Sequence, residues 1–346
     1  MRACEKEEGD LGENQITRMM EKTVLAKDLE ICRILNGMWQ VAGSHGQIDP
    51  EAAVSDMERY QQSGFTTWDL ADIYGPAESL IGKFRRSGNA KKKFQALTKF
   101  VPSPGPMSNS IVTHYIEQSL KKMDTDCIDL LQFHWWDYNN ASYLDALNNL
   151  SKLQSEQKIR HLGLTNFDTE RVRIIIEQGF EIVSNQVQYS ILDQRPEKLM
   201  APYFAKHGIK ILSYGTLLGG FFSEKYLGAD EPHRGELVTA SLQKYKNMID
   251  EWGGWKLFQE LLTTLSEIAK KHQCSIANVS SRFVLDKPQV AGIIIGARLG
   301  IANHTEDNDK VFDLRLDDED ISSIGKITAR SNDLLEAIGD CGGEYR

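Results

Sequence analysis

The sequence has no long hydrophobic run, and its first residues are polar. No stretch of about 18 apolar residues occurs, which is the length that a membrane-spanning helix requires. Residues 1–15 are acidic and contain no apolar segment, so they resemble neither a signal peptide nor a typical transit peptide. We expect a protein without membrane contact that works in the cytoplasm. An organellar location, after removal of a longer transit peptide, is the alternative.

Cysteine is scarce, and its spacing matches no ligand pattern. The five cysteines are odd in number and form neither a zinc motif nor a Cys-x-x-Cys pair. Two of them, Cys32 and Cys127, fall in apolar runs, where buried reduced thiols are expected. Such thiols fit a reducing compartment. The eight histidines form no close pair at helical ligand spacing, so no metal centre is predicted.

Positive charge is in deficit. The chain carries 40 basic and 49 acidic residues, a formal charge of −9, which argues against nucleic acid as a partner. Hydrophobic residues make up 41% and charged residues 26%, as in soluble globular proteins with a sizeable core. The length of 346 residues suits one large barrel or two smaller domains.

Short apolar runs alternate with amphipathic segments along the chain. Most runs are apolar throughout, as expected for parallel strands that are buried on both faces. Alternation of this kind with eight strands favours a closed (β/α)8 TIM barrel of the α/β class. The predicted strands are residues 31–35, 66–70, 94–98, 127–133, 159–164, 182–187, 209–213 and 291–295.

A doubly wound open sheet is the alternative fold, but no Gly-x-Gly-x-x-Gly follows the first strand. Two features extend a minimal barrel. Residues 216–255 form a long loop after the seventh strand, and loops of this length are often functional. Residues 321–329 form an extra C-terminal helix. No linker rich in Pro, Gly or Ser is present, so we expect a flexible lead-in over residues 1–26 and a single domain over 27–346.

Four polar residues lie where predicted strands run into loops: Asp69, Tyr74, Lys99 and His134. In a barrel of parallel strands, catalytic side chains gather at that edge. A free phenol has a pKa of about 10, and an ammonium group beside it would lower that value. We therefore interpret Tyr74 as a general acid, with Lys99 supplying the charge.

Two further roles complete this interpretation. Asp69 would hold Lys99 in place and keep it protonated. His134 would hydrogen-bond a substrate oxygen and orient a carbonyl group. The four side chains together support one reaction, in which hydride adds to a carbonyl carbon while a proton goes to its oxygen. A hydrolase that uses Asp69 and Asp72 as paired acids is a weaker alternative, because both lie in one short loop.

The motifs around these residues resemble the aldo-keto reductases, nicotinamide-dependent (β/α)8 barrels, over about residues 29–328. Residues 69–75 match the family's Asp-Thr-Ala-x-x-Tyr-Gly segment, with Leu70 in place of the usual small polar residue. Lys99 matches the lysine of the third strand, and His134 ends the family's Leu-x-x-His strand. The resemblance implies that these four residues form a complete catalytic tetrad.

The resemblance also implies a cofactor site. Residues 163–167 match the family's Gly-Val-Ser-Asn-Phe, whose polar residues bind the nicotinamide carboxamide, and Thr216 replaces a proline of the family. Aromatic stacking on the nicotinamide ring is assigned to one tyrosine, and glycines admit a pyrophosphate. The implied residues are Thr165, Asn166, Gln186 and Tyr214 at the nicotinamide, Gly219 and Lys225 at the pyrophosphate, and Arg298, Asp307 and Asn308 at the adenosine.

The choice of cofactor depends on Arg298. A guanidinium group suits a 2′-phosphate, and the family mostly uses NADPH, so we expect NADPH, with NADH as the alternative. The resemblance leaves open a second class of function, in which the barrel binds cofactor as a regulatory subunit with weak or no turnover. Fold alone does not separate the two classes.

Aromatic residues flank the predicted catalytic loops. Trp39 follows the first strand, Trp135 and Trp136 follow His134, and Phe221 lies in the long loop. Because adjacent residues point in different directions, one of the paired tryptophans should line the pocket, and we choose Trp135. These walls predict an apolar or aromatic carbonyl substrate. No interface is readable in the sequence, and a monomer would suit this barrel.

Overall fold

The computed structural model describes residues 20–43, 48–88 and 93–342. Residues 1–19 of the predicted lead-in lie outside this range. No helix within the described ranges is long and apolar enough to cross a membrane.

Eight parallel strands close into a barrel. The predicted (β/α)8 barrel is confirmed. Consecutive strands pair along the chain, and the last barrel strand closes the barrel against the first, with Ile293 opposite Ile34. The strands are Ile34–Gly37 (β3), Thr67–Asp69 (β4), Gln95–Phe100 (β5), Ile128–His134 (β6), Ile159–Thr165 (β7), Ser184–Gln188 (β8), Lys210–Tyr214 (β9) and Val290–Gly296 (β10).

An antiparallel hairpin packs beneath the barrel, formed by β1 (Lys22–Ala26) and β2 (Leu29–Cys32). Its apolar side chains share one cluster with barrel leucines such as Leu97 and Leu130. Two expectations are corrected here. Residues 22–26 form a strand rather than lead-in, and the predicted first strand, residues 31–35, divides between β2 and β3. The hairpin forms because it covers the apolar N-terminal end of the barrel.

The barrel interior is layered. Side chains two apart on a strand share a face, so Leu97 of β5 stands below Lys99, and Leu130 of β6 stands below Gln132 and His134. The lower layer is apolar and continues into the hairpin. The upper layer is polar and opens at the C-terminal ends of the strands, which is the edge predicted to carry the site.

Helices surround the barrel and bury its outer face. Several begin at side-chain caps: the Ser108 hydroxyl accepts a bond from the backbone N–H of Ile111, and Asp49 precedes a helix that starts with proline. The helices are α1 (Pro50–Gln62), α2 (Ala77–Arg86), α3 (Asn109–Met123), α4 (Ser142–Ser155), α5 (Thr169–Glu177), α6 (Met200–His207), α7 (Ala240–Trp252), α8 (Gly254–Lys271), α9 (Ile276–Leu285), α10 (Thr305–Asp313), α11 (Asp318–Thr328) and α12 (Leu334–Ile338).

The segment predicted as a long loop, residues 216–255, contains helix α7 after three short 3₁₀ turns. The helix was readable in the sequence, because Thr239 caps its start and apolar residues recur at the three- and four-residue spacing of a helix face. Those residues are Tyr245, Met248, Ile249 and Trp252, all buried. The extra C-terminal helix is present as α11.

Candidate active site

The four predicted catalytic residues meet at the C-terminal mouth of the barrel. Asp69 ends β4, Lys99 lies near the end of β5, and His134 ends β6. Tyr74 lies in the loop between β4 and α2. That loop is held against β5 by a backbone hydrogen bond from the N–H of Asp72 to the carbonyl of Lys99, 3.1 Å long.

Lys99 and Asp69 form a buried ion pair. The Lys99 Nζ lies 2.6 Å from the Asp69 Oδ2, and the two side chains are only 2% and 4% exposed. Lys99 also donates to the carbonyl of Leu70 at 3.1 Å. Burial lowers the pKa of Lys99, and the attraction of Asp69 opposes that shift. The pair therefore keeps a cation inside the barrel mouth.

Tyr74 lies directly beside this pair. The Lys99 Nζ is 5.1 Å from the centre of the Tyr74 ring, and the ring packs edge-on against Trp39 with centroids 5.0 Å apart. Burial raises the pKa of Tyr74 well above 10, and the negative charges of Asp69 and Asp72 raise it further.

The expectation that Lys99 lowers the pKa of Tyr74 is therefore wrong for this structure. The charge of Lys99 is balanced by Asp69, while burial penalises the phenolate more than the phenol. At neutral pH, Tyr74 is a protonated phenol. This is the form that a proton donor needs at the start of a carbonyl reduction.

The carboxylate of Asp72 is bonded to the loop after β5 rather than to Lys99. Its Oδ2 accepts a hydrogen bond from the backbone N–H of Val101 at 3.2 Å, and its Oδ1 is buried without a partner among the described residues. Burial raises the pKa of Asp72 to about 6. Because Asp69 is held by Lys99 and Asp72 by the next loop, the arrangement does not support two acids that flank a sugar bond.

Two glutamines complete the polar layer, and Gln132 was not predicted. The Oδ1 of Asp69 accepts from the Nε2 of Gln132 at 2.9 Å and from the Nε2 of Gln186 at 2.7 Å. The Gln186 Nε2 also lies 2.7 Å from the Gln132 Oε1. A polar residue inside the apolar run of β6, facing the same way as His134, was the signal that could have revealed Gln132.

The ends of β7 and β9 hold three residues predicted to bind the nicotinamide. Thr165 is buried, and its Oγ1 has no hydrogen-bond partner in the described part of the chain. Asn166 adopts a left-handed backbone conformation (φ 57°), and its N–H donates to the carbonyl of Gln186 at 2.9 Å. The Tyr214 hydroxyl donates to the Oδ1 of Asn166 at 2.8 Å. An orphaned hydroxyl beside amide side chains fits the donor and acceptor set of a carboxamide.

Helix α7 brings an unpredicted cation to this end of the site. The Nζ of Lys244 lies 5.0 Å from the centre of the Tyr214 ring and 5.3 Å from that of Tyr245. Tyr245 packs closely on Gly215 and Gly219: an added Cβ there would approach it to 2.5 and 2.9 Å. Both glycines have positive φ angles, so the close approach and the backbone conformation each require glycine.

The predicted pyrophosphate loop, which contains Gly219 and Lys225, is anchored by a carboxylate. The Glu224 Oε1 accepts a hydrogen bond from the backbone N–H of Ile276, at the start of α9, over 2.8 Å. Thr216, which replaces the family's proline, is buried, and its carbonyl accepts a 2.7 Å bond from the Ser280 hydroxyl. These contacts fix both ends of the loop against α9.

The residues predicted for the adenosine end differ in their exposure and in whether other residues already bond their polar groups. Arg298 is exposed, and its guanidinium has no carboxylate partner within the described ranges. The Asp307 carboxylate already accepts from the Ser275 hydroxyl at 3.1 Å, so it also supports the start of α9. Asn308 is largely buried in the first turns of α10.

The aromatic walls require two corrections. Trp135 is fully buried, and its indole N–H donates to the carbonyls of Asp137 and Asn140, so it packs rather than lining the mouth. Phe221 is also fully buried. Trp136 is 37% exposed, and the centroid of its ring lies 4.2 Å from that of the His134 ring.

With Trp135 excluded, two tryptophans remain at the mouth. Trp39, as predicted, lies beside Tyr74 and is 44% exposed. Trp136 lies beside His134 in the same way. The mouth is therefore bordered by one exposed indole next to each of the two side chains predicted to contact the carbonyl oxygen.

A (β/α)8 barrel with a buried Lys–Asp pair, a protonated tyrosine and a histidine at its C-terminal mouth defines a class of barrel oxidoreductases. Comparison with known proteins gives the family. Residues 33–329 match the model of the aldo/keto reductase family, and the chain belongs to that family. It is accordingly an NAD(P)H-dependent oxidoreductase.

For two relatives, the region that aligns with this chain makes up most of the relative's length. A 6-dehydroglucose reductase of Agrobacterium fabrum is 30% identical over 231 residues, which are 60% of this chain and 76% of the relative. The aldo-keto reductase YhdN of Bacillus subtilis is 25% identical over 299 residues, 81% of this chain and 85% of the relative.

Another relative is longer than this chain. Flagellar radial spoke protein 5 of Chlamydomonas reinhardtii is 32% identical over 257 residues, and the match spans 62% of this chain and 49% of that protein. Among solved structures, the thermostable aldo-keto reductase Tm1743 in complex with the inhibitor epalrestat superposes with a TM-score of 0.69 at 24% identity, over 89% of this chain and all of that one. The structural likeness shows the fold alone.

Proposed function

We propose that this protein reduces an aldehyde or ketone to an alcohol with NADPH, and that Tyr74 is the general acid. The observation that carries the proposal is the convergence of the buried Lys99–Asp69 pair, Tyr74 and His134 at one barrel mouth. The bound nicotinamide cofactor would supply the hydride. The protein's own residues would bind the carbonyl oxygen, orient it and deliver the proton.

The proton transfer is assigned as follows. His134 donates a hydrogen bond to the carbonyl oxygen and fixes its direction. Tyr74 gives its hydroxyl proton to that oxygen as negative charge develops there. Two ammonium protons of Lys99 go to Asp69 and to the carbonyl of Leu70. The third has no acceptor within the described ranges. It is therefore free to stabilise the phenolate that Tyr74 becomes.

The cofactor residues follow from the same geometry. Thr165, Asn166 and Gln186 would hold the carboxamide, and the ring of Tyr214 would support the nicotinamide. The loop with Gly219 and Lys225 would cover the pyrophosphate, and Lys244 of α7 adds a cation to that side. Arg298, Asp307 and Asn308 would hold the adenosine end.

The 2′-phosphate assignment gives a quantitative prediction. Arg298→Ala should weaken NADPH binding by about 10- to 100-fold, the scale of one charge-assisted hydrogen bond, while NADH binding stays nearly unchanged. Titration of intrinsic tryptophan fluorescence with each nucleotide measures both affinities. Arg330→Ala, which removes an exposed guanidinium paired with Glu260, is the matched control. An equal loss for NADPH and NADH would place the phosphate contact elsewhere.

The substrate proposal rests on Trp39 and Trp136. Two exposed indoles beside the proton donor and the histidine favour a flat apolar or aromatic carbonyl compound, because aromatic pairs gain energy beyond the area they bury. Trp136→Ala should raise the KM for benzaldehyde by about 5- to 10-fold and leave the KM for acetaldehyde nearly unchanged.

The paired tryptophan is the control for that experiment. Trp135→Phe removes two hydrogen bonds in the protein interior, so it should lower the melting temperature without a selective change in the KM for benzaldehyde. If Trp135→Phe raised that KM more than Trp136→Ala, our choice of the pocket wall would be wrong.

One observation favours a second candidate function. The radial spoke protein of Chlamydomonas named above belongs, by its name, to an assembly, and this chain spans about half of its length. A cofactor-binding subunit of a larger assembly, with weak or no turnover, is therefore the alternative. The complete tetrad favours the enzyme, and multiple-turnover oxidation of NADPH by an aldehyde distinguishes the two.

The cellular setting is part of the proposal. Cys32, Cys127 and Cys274 are free thiols, as expected for a protein of the reducing cytoplasm. A small-molecule carbonyl compound is the proposed partner.

A further inference from the structure

Gln132 lies at the centre of the polar layer, but none of the steps above uses it. It is fully buried in β6, two residues before His134 and on the same face of the strand. Its Nε2 donates to the Oδ1 of Asp69, and its Oε1 accepts from the Nε2 of Gln186. Gln132 thus connects the ion pair with a proposed cofactor ligand.

The orientation of both amides follows from chemistry. A carboxylate only accepts hydrogen bonds, so each glutamine must present its nitrogen to Asp69. The Gln186 nitrogen has two protons, and both are used: one by Asp69 at 2.7 Å and one by Gln132 at 2.7 Å. Toward any further group, Gln186 can offer only its oxygen.

We infer that Gln132 is a positioning residue: it accepts the second proton of the Gln186 amide, whose nitrogen already faces Asp69, so that the cofactor site there is an acceptor and never a donor. The inference rests on the proposed function, because it assigns Gln186 to the nicotinamide. The site would then require an N–H from the carboxamide. It would select against a nicotinamide analogue that carries a carbonyl but no N–H at this position.

The same contact constrains the ion pair. Asp69 receives three donors: Lys99, Gln132 and Gln186. Loss of Gln132 removes one of them and frees one proton of the Gln186 amide. That proton could then be given to a carbonyl oxygen, so the acceptor-only character of the site would be lost.

The test is a binding measurement that needs no turnover. The dissociation constants of NADP⁺ and of its 3-acetylpyridine analogue, which lacks the carboxamide N–H, are measured by tryptophan fluorescence. In the unmodified protein the analogue should bind at least about fivefold more weakly, because it leaves a buried acceptor unpaired. In Gln132→Met the ratio of the two constants should fall to near one.

Asn36→Leu is the matched control. Asn36 is another buried amide of the barrel, and its Nδ2 donates to the carbonyl of Phe65 at 2.9 Å. Its loss should reduce stability without changing the ratio. If Gln132→Met does not fold, Gln132→Glu serves instead: its protonated carboxyl keeps a donor for Asp69 and an acceptor for Gln186, so the ratio should be retained even where both affinities fall.

The outcomes are distinct. An unchanged ratio in Gln132→Met, or a lost ratio in Gln132→Glu, would overturn the inference while leaving the reductase proposal intact. Failure of the unmodified protein to bind NADP⁺ would overturn both.

Discussion

Tyr74→Phe is expected to lower turnover by about 10²–10⁴-fold, the scale of a general acid, while the affinity for NADPH stays within about twofold of the unmodified value. In the proposed mechanism the phenol gives its proton to the carbonyl oxygen, and phenylalanine preserves its packing against Trp39. Because the pKa of Tyr74 is raised by burial and by two carboxylates, its ionisation should cause no loss of reductive turnover between about pH 7 and 9.

Steady-state assays with an aromatic aldehyde and NADPH, together with fluorescence titration, measure both quantities. Tyr115→Phe removes a hydroxyl on the exposed side of α3 and should change neither. Turnover by Tyr74→Phe at the rate of the unmodified protein would remove Tyr74 from the mechanism. A parallel collapse of NADPH binding would mean that the residue acts through the cofactor site.

Lys99→Met is expected to cost about 3–5 kcal/mol of unfolding free energy as well as turnover. The substitution leaves Asp69 as an uncompensated buried charge, and breaking a buried pair on one side is far more costly than replacing both partners. The remaining donors, Gln132 and Gln186, are neutral and replace the ammonium group only in part.

Urea unfolding monitored by tryptophan fluorescence measures this cost. The double variant Asp69→Asn/Lys99→Met removes both charges, so it should regain most of the stability and none of the turnover. If the single and double variants lost stability equally, the ion pair would not be the cause. If the double variant kept its turnover, Lys99 would have no role in the chemistry.

The barrel was predictable because its strands are mostly apolar, as buried parallel strands are, and because eight of them alternate with helical patterns. The hairpin beneath it was not predicted. Residues 22–26 read as polar because only one of their faces meets the barrel, and the apolar run at residues 31–35 continues across the boundary between β2 and β3.

The positions of the residues proposed as catalytic were predictable, but their electrostatics were not. Strand ends place Asp69, Lys99 and His134 at one edge from topology alone. The pKa of Tyr74 depends on how deeply the phenol is buried. It also depends on whether Asp69 lies close enough to Lys99 to balance its charge. The sequence also predicted the wrong tryptophan: Trp135 and Trp136 are equally aromatic, and only the loop after β6 decides which one is buried.

Gln132 and Lys244 show a different limit. Gln132 is a polar residue in a largely apolar strand. The sequence around it does not indicate which residue it bonds, so it predicts no role. Lys244 lies in a segment predicted as a loop, where a lysine is ordinarily solvated. Their roles follow only from residues distant in the chain, such as Asp69 and Tyr214, which the fold brings to them.

One measurement decides whether this barrel transfers hydride from NADPH to a carbonyl group. Purified protein is mixed with NADPH and excess 4-nitrobenzaldehyde, and NADPH absorbance is followed while the alcohol is quantified. We expect many turnovers, with one alcohol formed for each NADPH oxidised and almost none formed by Tyr74→Phe. NADPH that binds tightly but is never oxidised, across aliphatic and aromatic aldehydes and ketones alike, would contradict this expectation and favour the cofactor-binding subunit.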